Sequence, residues 1–155
     1  MNHLWRAAAI GAVAGMRTQL PLALLAAEAR AGHFAVAAPA PLGWLRSRAA
    51  LPLLACSAAG EMTVDKLPIA PSRLDPGPLF GRFLFGALAG AAVARDVRAP
   101  AIAGTILGAA GAGIGAFAGY HVRVWLGEQT GIPDPLWGTV EDTVALGLGL
   151  LAVSR

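Results

Sequence analysis

The sequence predicts an all-α membrane protein with about five transmembrane or re-entrant helices. Asp, Glu, Lys and Arg make up only 14% of the 155 residues, whereas about 25% is usual in soluble domains. The mean hydropathy is +0.61, and apolar runs recur at lengths near the roughly 20 residues that a helix needs to cross a bilayer. So few charged side chains cannot form the polar surface of a soluble domain. We therefore expect one polytopic membrane domain over residues 1–155.

The first predicted segment, residues 6–28, is long enough to span but contains features that interrupt a helix. Arg17 lies in the middle of the apolar run, and Pro21 follows four residues later. Proline kinks or ends a helix, and irregular backbone at membrane depth is tolerated only where protein or water surrounds it. We expect a broken or re-entrant helix here. Because the apolar run continues beyond Arg17, a retained anchor is favoured over a cleaved signal peptide.

The middle of the chain alternates short apolar runs with connections. Residues 33–48 are interrupted by proline, glycine and arginine and predict a connection lying at the membrane surface. The second segment, 49–66, has an apolar run of only about 18 Å of helix, so it spans only if the charged residues at its end are drawn into the membrane. Residues 67–78 contain four prolines and predict a loop.

Three further segments complete the predicted fold. Residues 79–96 carry one early charge, Arg82, whose long side chain can reach the interface. Residues 99–124 contain no charged residue before Arg123. The last segment, 136–154, reaches across the membrane only if two acidic residues lie inside the hydrocarbon region, which is costly unless they face a cavity or a partner.

The membrane orientation and the oligomer number stay open at this stage. If the basic residues are assigned to sides by five crossings, five fall on one side and six on the other, which is too even for the positive-inside rule. Cys56 is the only cysteine, so neither an internal disulfide nor a cysteine-based metal cage can form. The sequence predicts no metal site and no cofactor.

Glycine pairs spaced four apart suggest close packing between helices. The pattern Gly-Ala-x-Ala-Gly occurs three times, and one helix carries a glycine along nearly every turn. The copies in the first and fourth segments suggest an inverted-topology repeat, although chance in a chain rich in Ala and Gly also explains them. The glycines predicted to pack helices are Gly11, Gly15, Gly86, Gly90, Gly104, Gly108, Gly111, Gly115 and Gly119.

Charged residues at membrane depth are the candidates for a functional site. Arg17 is either an anion-binding or gating residue or a salt-bridge partner for an acid. Glu61 and Asp65 share one helix face and form either a proton or cation site or a counter-charge for nearby bases. The predicted solute or proton pathway consists of Arg17, Glu61, Asp65, Lys66, Glu141 and Asp142. Candidate contacts to head groups or anions are Arg73, Arg82, His121 and Arg123.

One block of the sequence resembles a known family. It runs from Glu61 through Asp65-Lys66-Leu-Pro68 and Pro71-Ser72-Arg73 to the glycines after Arg82. Supporting pieces are Gly15-Met-Arg17-Thr, Tyr120-His121 and the late Glu141-Asp142 pair. Together they resemble the small bacterial membrane proteins known as domain of unknown function 4126. The resemblance implies an integral protein of the bacterial inner membrane and no particular activity.

Three functions fit these observations, and none of them is enzymatic. The first is a homo-oligomeric transporter or channel that moves an ion or small polar solute past the embedded charges. The second is a structural or assembly subunit of a larger membrane complex, in which the same charges lock helices together. The third is a lipid-handling protein. An enzyme is not expected, because no catalytic triad, metal-ligand cluster or phosphate loop is present. Expected partners are membrane lipids and further membrane subunits, and the absence of a basic face argues against nucleic acid.

Overall fold

The computed structural model describes residues 3–33, 42–67 and 72–154. Within these residues the chain is helical and contains no strand, so the predicted all-α class is confirmed for this part. The elements are α1 Trp5–Met16, α2 Leu20–Arg30, a 3-10 helix Leu42–Arg46, α3 Ala50–Val64, α4 Pro76–Asp96, α5 Ala101–Thr130 and α6 Asp134–Val153. Parts of the predicted surface connection and of the proline-rich loop, residues 34–41 and 68–71, lie outside the described residues.

Three helices, α4, α5 and α6, are long and apolar enough to cross a membrane. The predicted count of about five spans is not confirmed, because α1, α2 and α3 have 12, 11 and 15 residues, and 15 residues make only about 22 Å of helix. Two boundaries also differ from the prediction by three residues or more. Helix α4 begins at Pro76 inside the predicted loop, since proline is well suited to the first turn of a helix, and α5 continues to Thr130.

The first predicted segment is a helical hairpin. Helix α1 ends at Met16, and the next residue, Arg17, has an extended backbone at φ −140° and ψ 106°. Helix α2 begins at Leu20 with Pro21 in its first turn. Helix α2 then returns toward the beginning of α1, so that Leu25 and Ile10 belong to one buried core cluster. Proline lacks the amide that a continuous helix would need at this point. The break in the chain is therefore encoded locally.

The helix directions define two ends of the bundle. We call one of them the basal end: α1 and α5 begin there, and α2, α4 and α6 end there. The other is the cluster end: α3 and α5 end there, and α4 and α6 begin there. Helices α1 and α5 run in the same direction, because Gly11 lies against Gly108 and Gly15 against Ala112. An inverted repeat would require these two segments to run in opposite directions. The structure therefore does not support the repeat suggested by the sequence.

Glycines at the crossings of α1, α4 and α5 allow the backbones of these helices to come into direct contact. A Cβ atom added at Gly111 or Gly115 would collide with the backbone of α1, and one added at Gly90 would collide with Gly104. Most of the predicted packing glycines lie at these crossings. Gly119 differs, since a Cβ there would lie 2.5 Å from Oε1 of Glu141 and 3.1 Å from Nη1 of Arg73. It makes room for charged side chains rather than for another helix.

Large apolar side chains on the outside of α5 and α6 face the surroundings of the bundle. Ile102 is 76% exposed, Ile114 69% and Leu151 62%. A contiguous apolar exterior of this kind suits contact with lipid. Four arginines of the cluster end, in contrast, are buried between the helices: Arg17, Arg73, Arg82 and Arg123.

Candidate functional site

The candidate site is an ion-paired cluster between the hairpin tip and the helices of the cluster end. Arg82, Arg123 and Glu141 lie six or seven residues inside α4, α5 and α6, which places them about 9–11 Å from the ends of these helices. The cluster therefore lies inside the bundle and away from the ends of these three helices. Its basic members are Arg17, Lys66, Arg73, Arg82 and Arg123, and its acidic members are Glu61, Asp65, Asp134, Glu141 and Asp142.

Arg17 is the most deeply buried charge of the cluster, with 1% of its side chain exposed. Its Nε donates to Oδ1 of Asp142 at 2.5 Å. Its Nη2 lies 3.1 Å from Oδ2 of Asp65 and 3.5 Å from Oε2 of Glu141. Its Nη1 donates to the carbonyl of Met16 at 2.7 Å. A single guanidinium thus joins the end of α1 to carboxylates from the end of α3 and from α6.

The backbone groups freed at the hairpin tip are satisfied by charged side chains. Oε1 of Glu61 accepts the amide N–H of Thr18 at 2.8 Å, and Oε2 accepts that of Gln19 at 3.0 Å. These amides form the N-terminal end of α2, where the helix dipole favours a negative charge. At the C-terminal end of α1, Nε of Arg82 donates to the carbonyl of Gly15 at 3.0 Å. Opposite charges therefore complement the two helix ends that meet at the tip.

A second group of pairs surrounds Arg73 and Arg123. Arg73 forms a two-bonded pair with Glu141 through both terminal nitrogens, the second bond being 2.9 Å from Nη2 to Oε2. Arg123 pairs with Asp65, and it also holds Asp134 in a fork with both bonds at 2.6 Å. Planar forks of this kind are the strongest geometry for an arginine and a carboxylate. The loop before α4 is thereby tied to α5 and α6.

The pKa values of two groups outside the spanning helices follow from these contacts. Burial raises the pKa of Asp65, but Arg17 and the bonded Arg123 outweigh it and hold that pKa below its usual value. For Arg73, burial lowers the pKa, and the pairing with Glu141 overcomes this and raises it. Both groups are therefore charged at neutral pH.

Side chains of the cluster differ in how far they reach the surface. Exposed fractions are 24% for Lys66, 20% for Glu61, 18% for Asp65 and 16% for Asp142, whereas Arg17 is closed off. The cluster end thus presents a partly accessible polar layer over a sealed arginine.

A cleft of about 230 Å³ reaches the cluster from the side, between α5 and α6. Its walls are mainly apolar and include Met16, Val122 and Trp137, and two charged residues, Arg123 and Glu141, lie at its polar edge. The cleft gives the cluster a second approach, from the side of the bundle between α5 and α6.

The structure brings together all six residues of the predicted pathway. The same cluster also contains three of the residues predicted as head-group or anion contacts: Arg73, Arg82 and Arg123. Their side chains are 5–9% exposed and are paired with carboxylates of the chain rather than with an external anion. His121 is outside the cluster; it is exposed, and its ring meets that of Tyr120 edge to face at 5.3 Å. No group of three or more His, Cys, Asp or Glu suited to a metal ion occurs in the described ranges.

Sequence reasoning missed Asp134. It begins α6 directly before a proline and lies seven residues before Glu141, which places the two carboxylates on one helix face after two turns. That spacing was a usable signal. Sequence reasoning also missed Gly138, which lies against the guanidinium of Arg123 and leaves space for it.

The comparisons with known proteins agree with the sequence resemblance. The model of the family described as domain of unknown function DUF4126 matches residues 4–155. The chain belongs to this family. The DUF4126 match includes every residue of the cluster. Comparison with curated proteins and with solved structures found no match.

Proposed function

We propose that the chain is a small transporter or channel for an ion or small polar solute, with the ion-paired cluster as its polar pathway. The observation that carries the proposal is the hairpin tip, which ends inside the bundle among charges of both signs and which we place at membrane depth. Broken helices that meet at such a depth are a recurring way to build solute sites, because their ends present unpaired backbone dipoles. Here Glu61 and Arg82 complement those dipoles.

The arrangement resembles a closed gate. Arg17 is sealed beneath a layer of partly exposed charges at the cluster end. Because Lys66 and Arg17 share Asp142, an anion that bound Lys66 in place of Asp142 would leave this carboxylate paired with Arg17 alone. The lowered pKa of Asp65 favours a fixed negative charge at this residue rather than a proton carrier. The proposed mode of action is the exchange of ion pairs. It involves no chemical reaction of a substrate, so the proposed function is not enzymatic.

A homo-oligomer in the bacterial inner membrane is part of the proposal. Only three helices of the described chain are long and apolar enough to span. Several copies side by side would surround the short helices α1, α2 and α3 with protein instead of lipid. The family resemblance supports the bacterial membrane.

Flux through proteoliposomes tests the proposal. Purified protein is reconstituted, and proton, potassium and chloride movement are each followed with an ion-sensitive dye. We expect flux of at least one of these ions above that of protein-free vesicles. Lys66→Gln should change it strongly while the protein stays folded, because Lys66 is the most exposed base of the cluster. Asp75→Asn, an exposed acid at the same end, is the matched control. Absence of flux for all three ions, or equal flux in both variants, would contradict the proposal.

A specific observation favours a second function, that of an assembly subunit. Each of the ten charges of the cluster has a partner of opposite sign within 4 Å, as a purely structural lock would require. Purification in mild detergent separates the two functions. Co-purifying foreign membrane subunits in fixed ratio would favour the assembly subunit, and a stable oligomer of this chain alone would favour the transporter.

A further inference from the structure

The two ends of the bundle differ strongly in charge. At the basal end the described residues include six arginines and two acids, Glu28 and Asp96. At the cluster end five basic residues face seven acids. The basal end is thus net positive and the cluster end net negative. The sequence alone concealed this difference, because five full crossings would place Arg6 at the opposite end from Arg30, whereas the hairpin returns both to the same end.

The basic residues of the two ends also differ in availability. Every base at the cluster end is at least three-quarters buried and paired with a carboxylate. Five of the six basal arginines are exposed: Arg30, Arg46, Arg48, Arg95 and Arg98. The sixth, Arg6, is buried and has no carboxylate within 4 Å among the described residues, and its Nε donates to the carbonyl of Ala152 at 2.7 Å. Among the described residues, the exposed arginines therefore lie at the basal end, whereas Lys66 at the cluster end is 24% exposed and paired with Asp142.

Backbone geometry at Arg98 adds an independent observation. Arg98 has φ 56°, a left-handed conformation that is uncommon for residues other than glycine, asparagine and aspartate. It joins α4 to α5, where a glycine would be less strained. The chain carries an exposed charge at this turn despite that strain, and such outliers point toward a function of the side chain.

Exposed aromatic residues accompany the arginines. Trp5 is 54% exposed and Trp44 is 46% exposed, and both lie near the basal end. Indole rings prefer the level of lipid head groups. Arginine binds phosphate through a planar fork of donors. The basal end therefore combines the two residue types that anchor a protein to a phospholipid surface.

We propose that the basal end binds anionic phospholipid head groups of the cytoplasmic leaflet, and that the ion-paired cluster opens toward the opposite side of the membrane. Positively charged segments next to spanning helices stay on the cytoplasmic side, and anionic lipids attract them. The proposal is independent of what the cluster transports. It assigns an orientation to the chain and a lipid class to one surface.

Cysteine labelling in whole cells tests the orientation. In a Cys56→Ala background, Ser47→Cys reports the basal end and Ser72→Cys the cluster end, since both serines are exposed. An impermeant maleimide applied to bacterial spheroplasts should label the cysteine at 72 and leave that at 47 unlabelled until detergent is added. Labelling of position 47 from outside, or equal labelling of both positions, would overturn the assignment.

Lipid titration tests the head-group class. Full-length protein in mild detergent is titrated with phosphatidylglycerol and, in parallel, with phosphatidylcholine, and bound lipid is counted by native mass spectrometry. We expect tighter binding of phosphatidylglycerol, and a loss of about fivefold for each exposed arginine removed.

Arg98→Gly is the sharpest variant, because it removes the charge while relieving the backbone, so lipid binding should fall with no loss of thermal stability. Asp75→Asn at the cluster end is the control and should leave binding unchanged. Equal affinity for the two lipids, or unchanged binding in Arg98→Gly, would overturn the proposal.

Discussion

Replacing Arg17 measures how strongly the cluster holds the hairpin in place. The side chain is 1% exposed and within 3.5 Å of three carboxylates. Removing one partner of a buried ion pair costs about 3–5 kcal/mol, because the other charge is left uncompensated. In Arg17→Gln, bases elsewhere in the cluster still neutralise part of the negative charge. We therefore expect a loss near the lower limit, about 3 kcal/mol of unfolding free energy.

The assay is denaturant unfolding of purified protein in mild detergent. Arg46→Gln, which removes an exposed arginine at the basal end, is the matched control and should change stability by no more than about 0.5 kcal/mol. The double variant Arg17→Gln/Asp142→Asn should be more stable than the sum of the two single losses predicts, because both members of one pair are then neutral. A loss below about 1 kcal/mol, or strict additivity, would refute the view that Arg17 anchors the tip.

Three further predictions follow from the packing and from the charges. Gly115→Leu should prevent folding because its side chain would enter the backbone of α1, while Ile106→Leu, at a 63% exposed position, should be tolerated in a detergent melting assay. The lowered pKa of Asp65 stabilises the fold above its unfolded pKa of about 4; this contribution should fade as the pH falls below that value, and Asp65→Asn should flatten the acid limb of a stability profile. Glu61→Gln should lower the melting temperature more than Asp75→Asn, since only Glu61 accepts hydrogen bonds from the hairpin tip, and equal melting temperatures would contradict this role.

The sequence predicted the elements that depend on local chemistry. Arg17 and Pro21 signalled the break in the first segment, and the apolar run after Arg98 signalled α5. The return of α2 beside α1 was not predictable in this way, because it depends on Glu61, more than 40 residues away in the chain. Proline at the start of a helix was read as a loop signal at Pro76, although the same residue is suited to a first helical turn.

The sequence indicated which charged residues to consider as a site but not which of them pair with each other. Charges within apolar segments stand out because burying them is costly, and the six residues selected on this ground lie in one cluster, while their role as a pathway stays a prediction. Which base meets which acid depends on helix directions that composition does not encode. The glycine motifs are limited in the same way. Gly11 and Gly115 predicted close helix packing, but the relative direction of α1 and α5, which are parallel, is seen only in the structure.

The hairpin tip has a consequence for how the chain is assembled during synthesis. The hydrogen bond between Arg17 and Asp142 joins residues 125 positions apart, and at ribosomal rates that distance corresponds to about 6–25 s of translation. Until α6 emerges, Arg17 lacks two of its three carboxylates, and the hairpin has no low-energy position at depth. Insertion of the hairpin would then be a late event that follows α4, α5 and α6. A nascent chain stalled before Asp142 should leave Arg17 accessible to water, whereas release of the complete chain should protect it.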